Sequence, residues 1–290
     1  MRYQAILKNG AFIIAASLLT LAACKRDRTT PALTNSDDNG GYASDAATLE
    51  KTSNDVISIT DVSAAGNAST LRTTSICATA TRSVSGSDSI LTINFGPTDC
   101  LCADGKTRKG EIIVSYTGAY KDSGTVRTIT YSNYYVNDYH VTGHKAVTNK
   151  GTNSSGQVWY DVVLDDSITS PSGDSTISWT AHRTRTWLSG YTTETRTDDS
   201  YAIADAVGSP GTVLTRANGH VFTVSINSGS PIVVAYDCDF IESGIVVISS
   251  STFTGGDRTV NYGYSLTTPG SCDDLAQLTI GSHTYVITLR

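Results

Sequence analysis

The segment VRTITYSNYYV, Val126–Val136, followed by Asn137-Asp138 and Tyr139, decides the fold. Thr, Ile, Tyr and Val recur with a period of two, the spacing of a pleated strand, and Asn-Asp supplies turn chemistry at its end. The same pattern extends outward in both directions. EIIVSYTG (111–118) precedes it, and QVWYDVVL (157–164) and STISWTAHRTRTW (175–187) follow. Further back, RTTSICATATRSV and SILTINF flank Gly86-Ser87-Asp88 as a hairpin. Asn218-Gly219, between VLTRA and HVFTVSI, carries the residues of a type I′ turn, and Gly281-Ser282, between AQLTI and HTYVITL, suits type II′. Strands joined by short turns, with no helical pattern between them, predict an all-β body: mostly antiparallel, sandwich-like or a partly closed sheet.

The N-terminal part is organised differently. Arg2 and Lys8 form a positive region, Ala11 to Ala23 is an uncharged apolar run, and Ala22-Ala23 precede Cys24. This is the order of an export signal, and the run is shorter than the roughly 20 residues a membrane-spanning helix needs. LAAC (21–24) resembles a bacterial lipobox. That resemblance implies cleavage before Cys24 and acylation of the new terminus; two or three acyl chains, at ~0.8 kcal/mol per buried CH₂, anchor firmly. Lys25, Arg26 and Arg28 would then sit at the headgroups. Residues 24–41 read as a tether, rich in Thr, Asn, Asp and Gly. In residues 42–66, Ala46, Leu49, Ser53, Val56 and Ile57 fall near one helical face, which predicts one short amphipathic helix ending at a Gly66-Asn67 break. The β-rich domain then occupies residues 67–290.

Removing residues 1–23 takes away two basic residues and no acids, leaving 19 Lys+Arg against 27 Asp+Glu, a net of −8. That balance opposes nucleic-acid binding, which rests on basic patches. Within the body, CADGKTRKGEIIVSYTGAYKDSGTVRTITYSNY from Cys102 echoes CDFIESGIVVISSSTFTGGDRTVNYGY from Cys238, with Arg127 and Arg258, and Tyr131 and Tyr262, in matching places. Such an echo raises the question of two similar halves.

The segments CLCADGKTRKGEIIVSYTG, YYVNDYHVTG, WTAHRTRTWLSG, CDFIESGIVVIS and GSCDDLAQLTIGSHTYVITLR, together with the lipobox, resemble an uncharacterised group of lipoproteins from Bacteroidota-type bacteria. The resemblance covers most of the chain from about residue 45 onward. It implies an outer-membrane, lipid-anchored protein facing the periplasm or the cell surface, and carries no activity with it.

Apart from Cys24 there are five cysteines, Cys77, Cys100, Cys102, Cys238 and Cys272, in a compartment where disulfides persist. Cys238 with Cys272 is the first expected pair, and Cys77 with Cys100 or Cys102 the second. No zinc-ligand spacing accompanies the C-x-C pair. His140 and His144 would stand on the order of 13 Å apart on a strand, too far to share an ion. No metal site and no cofactor are therefore expected. G-x-S-x-G is absent, and Gly105-Lys106-Thr107 lacks the upstream glycine of a P-loop. Acids occur at Asp165-Asp166, Glu194, Asp198-Asp199 and Asp273-Asp274, mostly beside turn-forming residues.

Aromatic side chains supply the binding candidates, since flat amphipathic rings are what sugars and partner surfaces stack on. Strand alternation sets Tyr131 and Tyr135 on one face and Tyr134 on the other, while Trp179 and Trp187 lie among Arg183, Arg185 and Arg196. The expected function is a lipid-anchored envelope β protein with a non-enzymatic binding or structural role, its partner a glycan or an envelope protein. Alternatives are a polysaccharide hydrolase using paired carboxylates, and a lipid or lipopolysaccharide carrier, which needs a continuous apolar groove.

Overall fold

The computed structural model describes residues 39–64, 78–85, 88–119, 121–193, 197–265, 270 and 272–289. Cys24, the tether up to residue 38, the Gly66-Asn67 break, Cys77, the Gly86-Ser87 turn, Glu194 and Arg196 lie outside the described residues. One helix, α1 (Asn39–Ala64), precedes the strands β1 (Thr79–Ser85), β2 (Asp88–Asn94), β3 (Cys100–Leu101), β4 (Thr107–Tyr116), β5 (Val126–Val136), β6 (Tyr139–Thr152), β7 (Val158–Thr169) and β8 (Thr176–Ser189). There follow β9 (Ser200–Asp205), β10 (Thr212–Arg216), β11 (Val221–Ile226), β12 (Ile232–Ala235), β13 (Ile245–Ser249), β14 (Arg258–Asn261), β15 (Leu275–Ile280) and β16 (His283–Thr288).

All of the strands belong to one antiparallel sheet with the order β1-β2-β4-β5-β6-β7-β8-β10-β11-β13-β14-β15-β16; β3 pairs with β4, and β9 bridges β8 to β12. The end strands β1 and β16 do not pair, so the sheet is open. Twist accumulates over so many strands that a sheet beyond about ten curls or folds over, and one face becomes an interior.

That interior is occupied by α1. No residue from Gly41 to Ala64 is exposed. Its acids explain the enclosure, because Asp45, Glu50, Asp55 and Asp61 are spaced five or six residues apart and so project to different sides of a 3.6-residue helix. Each meets an arginine of the sheet: Asp45 pairs with Arg216 of β10 at 2.6 Å, Glu50 with Arg183 of β8 at 2.7 Å, and Asp55 with Arg108 of β4 at 2.8 Å. Asp61 is shared by Arg127 of β5 and, at 3.0 Å, Arg185 of β8. At the helix end, Arg82 Nη2 of β1 donates to the carbonyls of Ser63 and Ala64 at 3.1 and 2.8 Å, a cation satisfying terminal acceptors. The expected helix is thus present, but the sheet encloses it where one apolar face was anticipated.

Two local features depart from simple alternation. Asn133 is left-handed (φ 48°) and the β5–β6 register shifts between Thr130 and Tyr134. Opposite it, Gly110 has φ +81°, and a Cβ there would come within 1.9 Å of the Asn133 carbonyl oxygen. This bulge resets the phase of β5, so Tyr131 and Tyr134 stack on each other (5.7 Å, 14°) instead of facing opposite ways. The type I′ turn is found at Asn137-Asp138, where both φ values are positive (48° and 65°). At Asn218-Gly219 only the glycine is left-handed and Arg216 N–H donates to the His220 carbonyl, so the loop holds three residues and is not type I′. Gly281-Ser282 closes a two-residue loop with positive φ at the glycine alone, in keeping with type II′.

Candidate functional site

Where the middle of α1 reaches the rim of the sheet, a groove of about 310 Å³ opens. One wall is α1 itself, with Lys51, Asp55 and Ser58; another is the β3–β4 turn with Asp104 and Lys106; the third is the segment after β12, Tyr236 to Phe240. A second lobe of about 180 Å³ shares Lys51, Asp55 and Lys106 and continues toward Tyr139 and Ile168. The third wall is held by the Cys238–Cys272 disulfide (Cα–Cα 5.6 Å), which ties the segment after β12 to the chain just before β15.

The electrostatics of the groove centre on Asp55. Arg108 Nη2 donates to both of its oxygens (2.9 and 2.8 Å), and Lys106 Nζ donates at 3.3 Å. Burial pushes Asp55 up, but Arg108 and Lys106 outweigh it and hold the carboxyl below its ordinary value. Lys106 also reaches Asp239 at 3.1 Å and Asp104 at 3.7 Å; burial lowers its pKa, but Asp55 first, then Asp239 and Asp104, outweigh that and raise it. Lys51 is different. Its amine lies 4.5 Å over the Phe240 ring, and burial, helped by repulsion from Lys106, lowers its pKa. The groove therefore offers an amine poised over a ring, a locked carboxylate network and half-buried Tyr236, with exposed Asp237 and Asp239 at the lip.

The aromatic candidates are placed mainly in the core. Tyr134 is wholly buried, Trp179 and Trp187 nearly so, and Tyr131 packs against the same cluster. Trp187 Nε1 donates to Asp199 Oδ1 at 3.2 Å. Tyr135 is half-buried on the outer face, stacked on His140 (4.4 Å) with Lys109 over its ring (4.7 Å). His144 is exposed opposite Asp165. Arginine stacking on rings does occur, through Arg185 on Tyr201 (3.4 Å), Arg216 on Tyr42 (3.9 Å) and Arg258 on Phe253 (3.9 Å). Cys100 is disulfide-bonded and Cys102 is a buried thiol; Cys77 lies outside the described residues.

Among the described residues, the carboxylates singled out from the sequence do not converge on one site. Asp166 and Asp199 are buried, Asp165 and Asp198 are exposed, and the acids that line the groove are Asp55, Asp104, Asp237 and Asp239. A signal for the charged core was present in WTAHRTRTW: Arg183 and Arg185 alternate in phase with Trp179 and Trp187, so the arginines share the inward face of the tryptophans. No family model, curated protein or solved structure matches the chain.

Proposed function

We propose that this protein is a lipid-anchored, non-enzymatic binding module of the cell envelope whose groove beside α1 receives a glycan. The observation that carries the reading is the groove itself: a sugar-sized space with an amine, fixed carboxylates and the rings of Tyr236, Phe240 and Tyr139 on its walls. Hydrolysis by paired carboxylates would need one acid kept protonated, whereas Asp55 is held ionised by two cations. Lipid carriage would need an open apolar channel, and α1 with its ion pairs fills the space inside the sheet.

Isothermal titration of the full chain against soluble envelope polysaccharide fragments tests the reading. Binding should weaken at least tenfold in Tyr236→Ala and Lys51→Ala without new reducing ends appearing. Unchanged affinity in both variants would remove the groove from consideration. Release of reducing ends would favour the hydrolase, and no binding to any fragment would turn attention to an envelope-protein partner.

A further inference from the structure

Deep inside the sheet, away from the groove, Lys145 of β6 and Asp166 of β7 meet in direct contact, Nζ to Oδ2, with both side chains 0 % exposed. The two residues are diagonal neighbours on the inner face, since Lys145 is opposite Leu164 and Asp166 is opposite Gly143. Gly143 makes the meeting possible. A Cβ there would lie 2.6 Å from Asp166 Cα and 2.9 Å from its Oδ1, so the missing side chain is the space into which the carboxyl folds. Among the described residues Asp166 Oδ1 has no hydrogen-bond partner, an expensive state for a buried carboxylate. The rings of Tyr131 and Trp179 flank the amine, each with its centroid 5.7 Å from Nζ, and keep water away.

We infer that Lys145 and Asp166 condense into an intramolecular isopeptide bond that staples β6 to β7 in the middle of the sheet. The neutral amine of Lys145 attacks Cγ of the protonated Asp166 carboxyl, forming the C–N bond. The C–OH bond then breaks, the departing hydroxyl takes a proton from nitrogen, and one water leaves; amine and acid become amide and water, with no oxidant, reductant or co-reactant. The apolar cage favours the uncharged forms of both reactants over the ion pair. Burial draws the Lys145 amine down to about 7, against the opposing pull of the Glu50 charge, so a neutral nucleophile is present at physiological pH. The amide product removes both buried charges and has no ionised oxygen to satisfy.

Peptide mapping of the full chain, reduced, denatured and digested with trypsin, decides the matter. With the bond formed, cleavage after Lys145 is blocked, and residues 128–150 are recovered joined to residues 151–183 at the summed mass less one water. Recovery of 128–145, 146–150 and 151–183 as separate peptides overturns the inference and leaves a buried ion pair. Asp166→Asn, which keeps an acyl carbon, should give the same branched peptide with loss of ammonia in place of water. Lys145→Arg should give no branch. Because the wild-type map is read on denatured protein, it is decisive even if a variant does not fold.

Discussion

Glycine 143 illustrates how much a single residue carries. Its φ of +116° already disfavours a side chain, and an added Cβ would also meet the Asp165 carbonyl oxygen at 2.2 Å. Gly156 has a positive φ as well (+79°) but open space around it. Gly143→Ala should therefore destabilise the protein by about 3 kcal/mol or more, and Gly156→Ala by about 1–2 kcal/mol, as read from urea denaturation midpoints. Asp55 makes a second prediction at this scale. Its pKa in the folded protein is below that in the unfolded chain, so its ionised form contributes stability that is complete above the unfolded value of about 4 and is lost as pH falls through the folded value. Wild type should lose stability more steeply below about pH 4 than Asp55→Asn in parallel denaturation series. Equal slopes would mean that Arg108 and Lys106 do not act on Asp55 in solution.

At the scale of elements, α1 is the organising piece. A curled open sheet has an inner face that must be covered, and here one helix covers it with apolar side chains between its four acids. Buried ion pairs add little net stability compared with apolar packing, but a broken one leaves a charge stranded, which fixes the register of helix against sheet. Amides in the middle of α1 should consequently exchange with deuterium as slowly as those of the central strands β6 and β7. Exchange of α1 ahead of those strands would show that the helix leaves the sheet as an independent unit. The bulge at Asn133 and Gly110 has a complementary role, since by resetting β5 it brings Tyr131 inward to the wall of the Lys145 cage.

For the molecule as a whole, the address and the binding surface are separate problems. The lipobox resemblance proposes attachment through Cys24, and cell fractionation checks it: wild type should sediment with membranes and Cys24→Ser should remain soluble. Protease treatment of intact and lysed cells then tells which side the body faces. If intact cells lose the protein, extracellular glycans become the ligands to screen; if only lysis exposes it, periplasmic ones do. Among the described residues no helix is long and apolar enough to cross a membrane.

Alternation of Val, Ile, Thr and Tyr was enough to determine an antiparallel β body, because strand period and turn chemistry are local properties of the chain. The helix before it was legible for the same reason, and the Cys238–Cys272 pair because the two cysteines bracket a strand-turn-strand stretch. The groove, the pairing of the core arginines with the acids of α1 and the Lys145–Asp166 contact were not. Asp55 lies 53 positions from Arg108, and Arg183 is 133 from Glu50, so their meeting depends on how the sheet curls around α1. That curl arises from twist summed over thirteen paired strands, which no local window of sequence contains. Tyr134, Trp179 and Trp187 make the same point from the other side. Residue type marked them as rings able to stack, and only the enclosed interior decided that they would be buried.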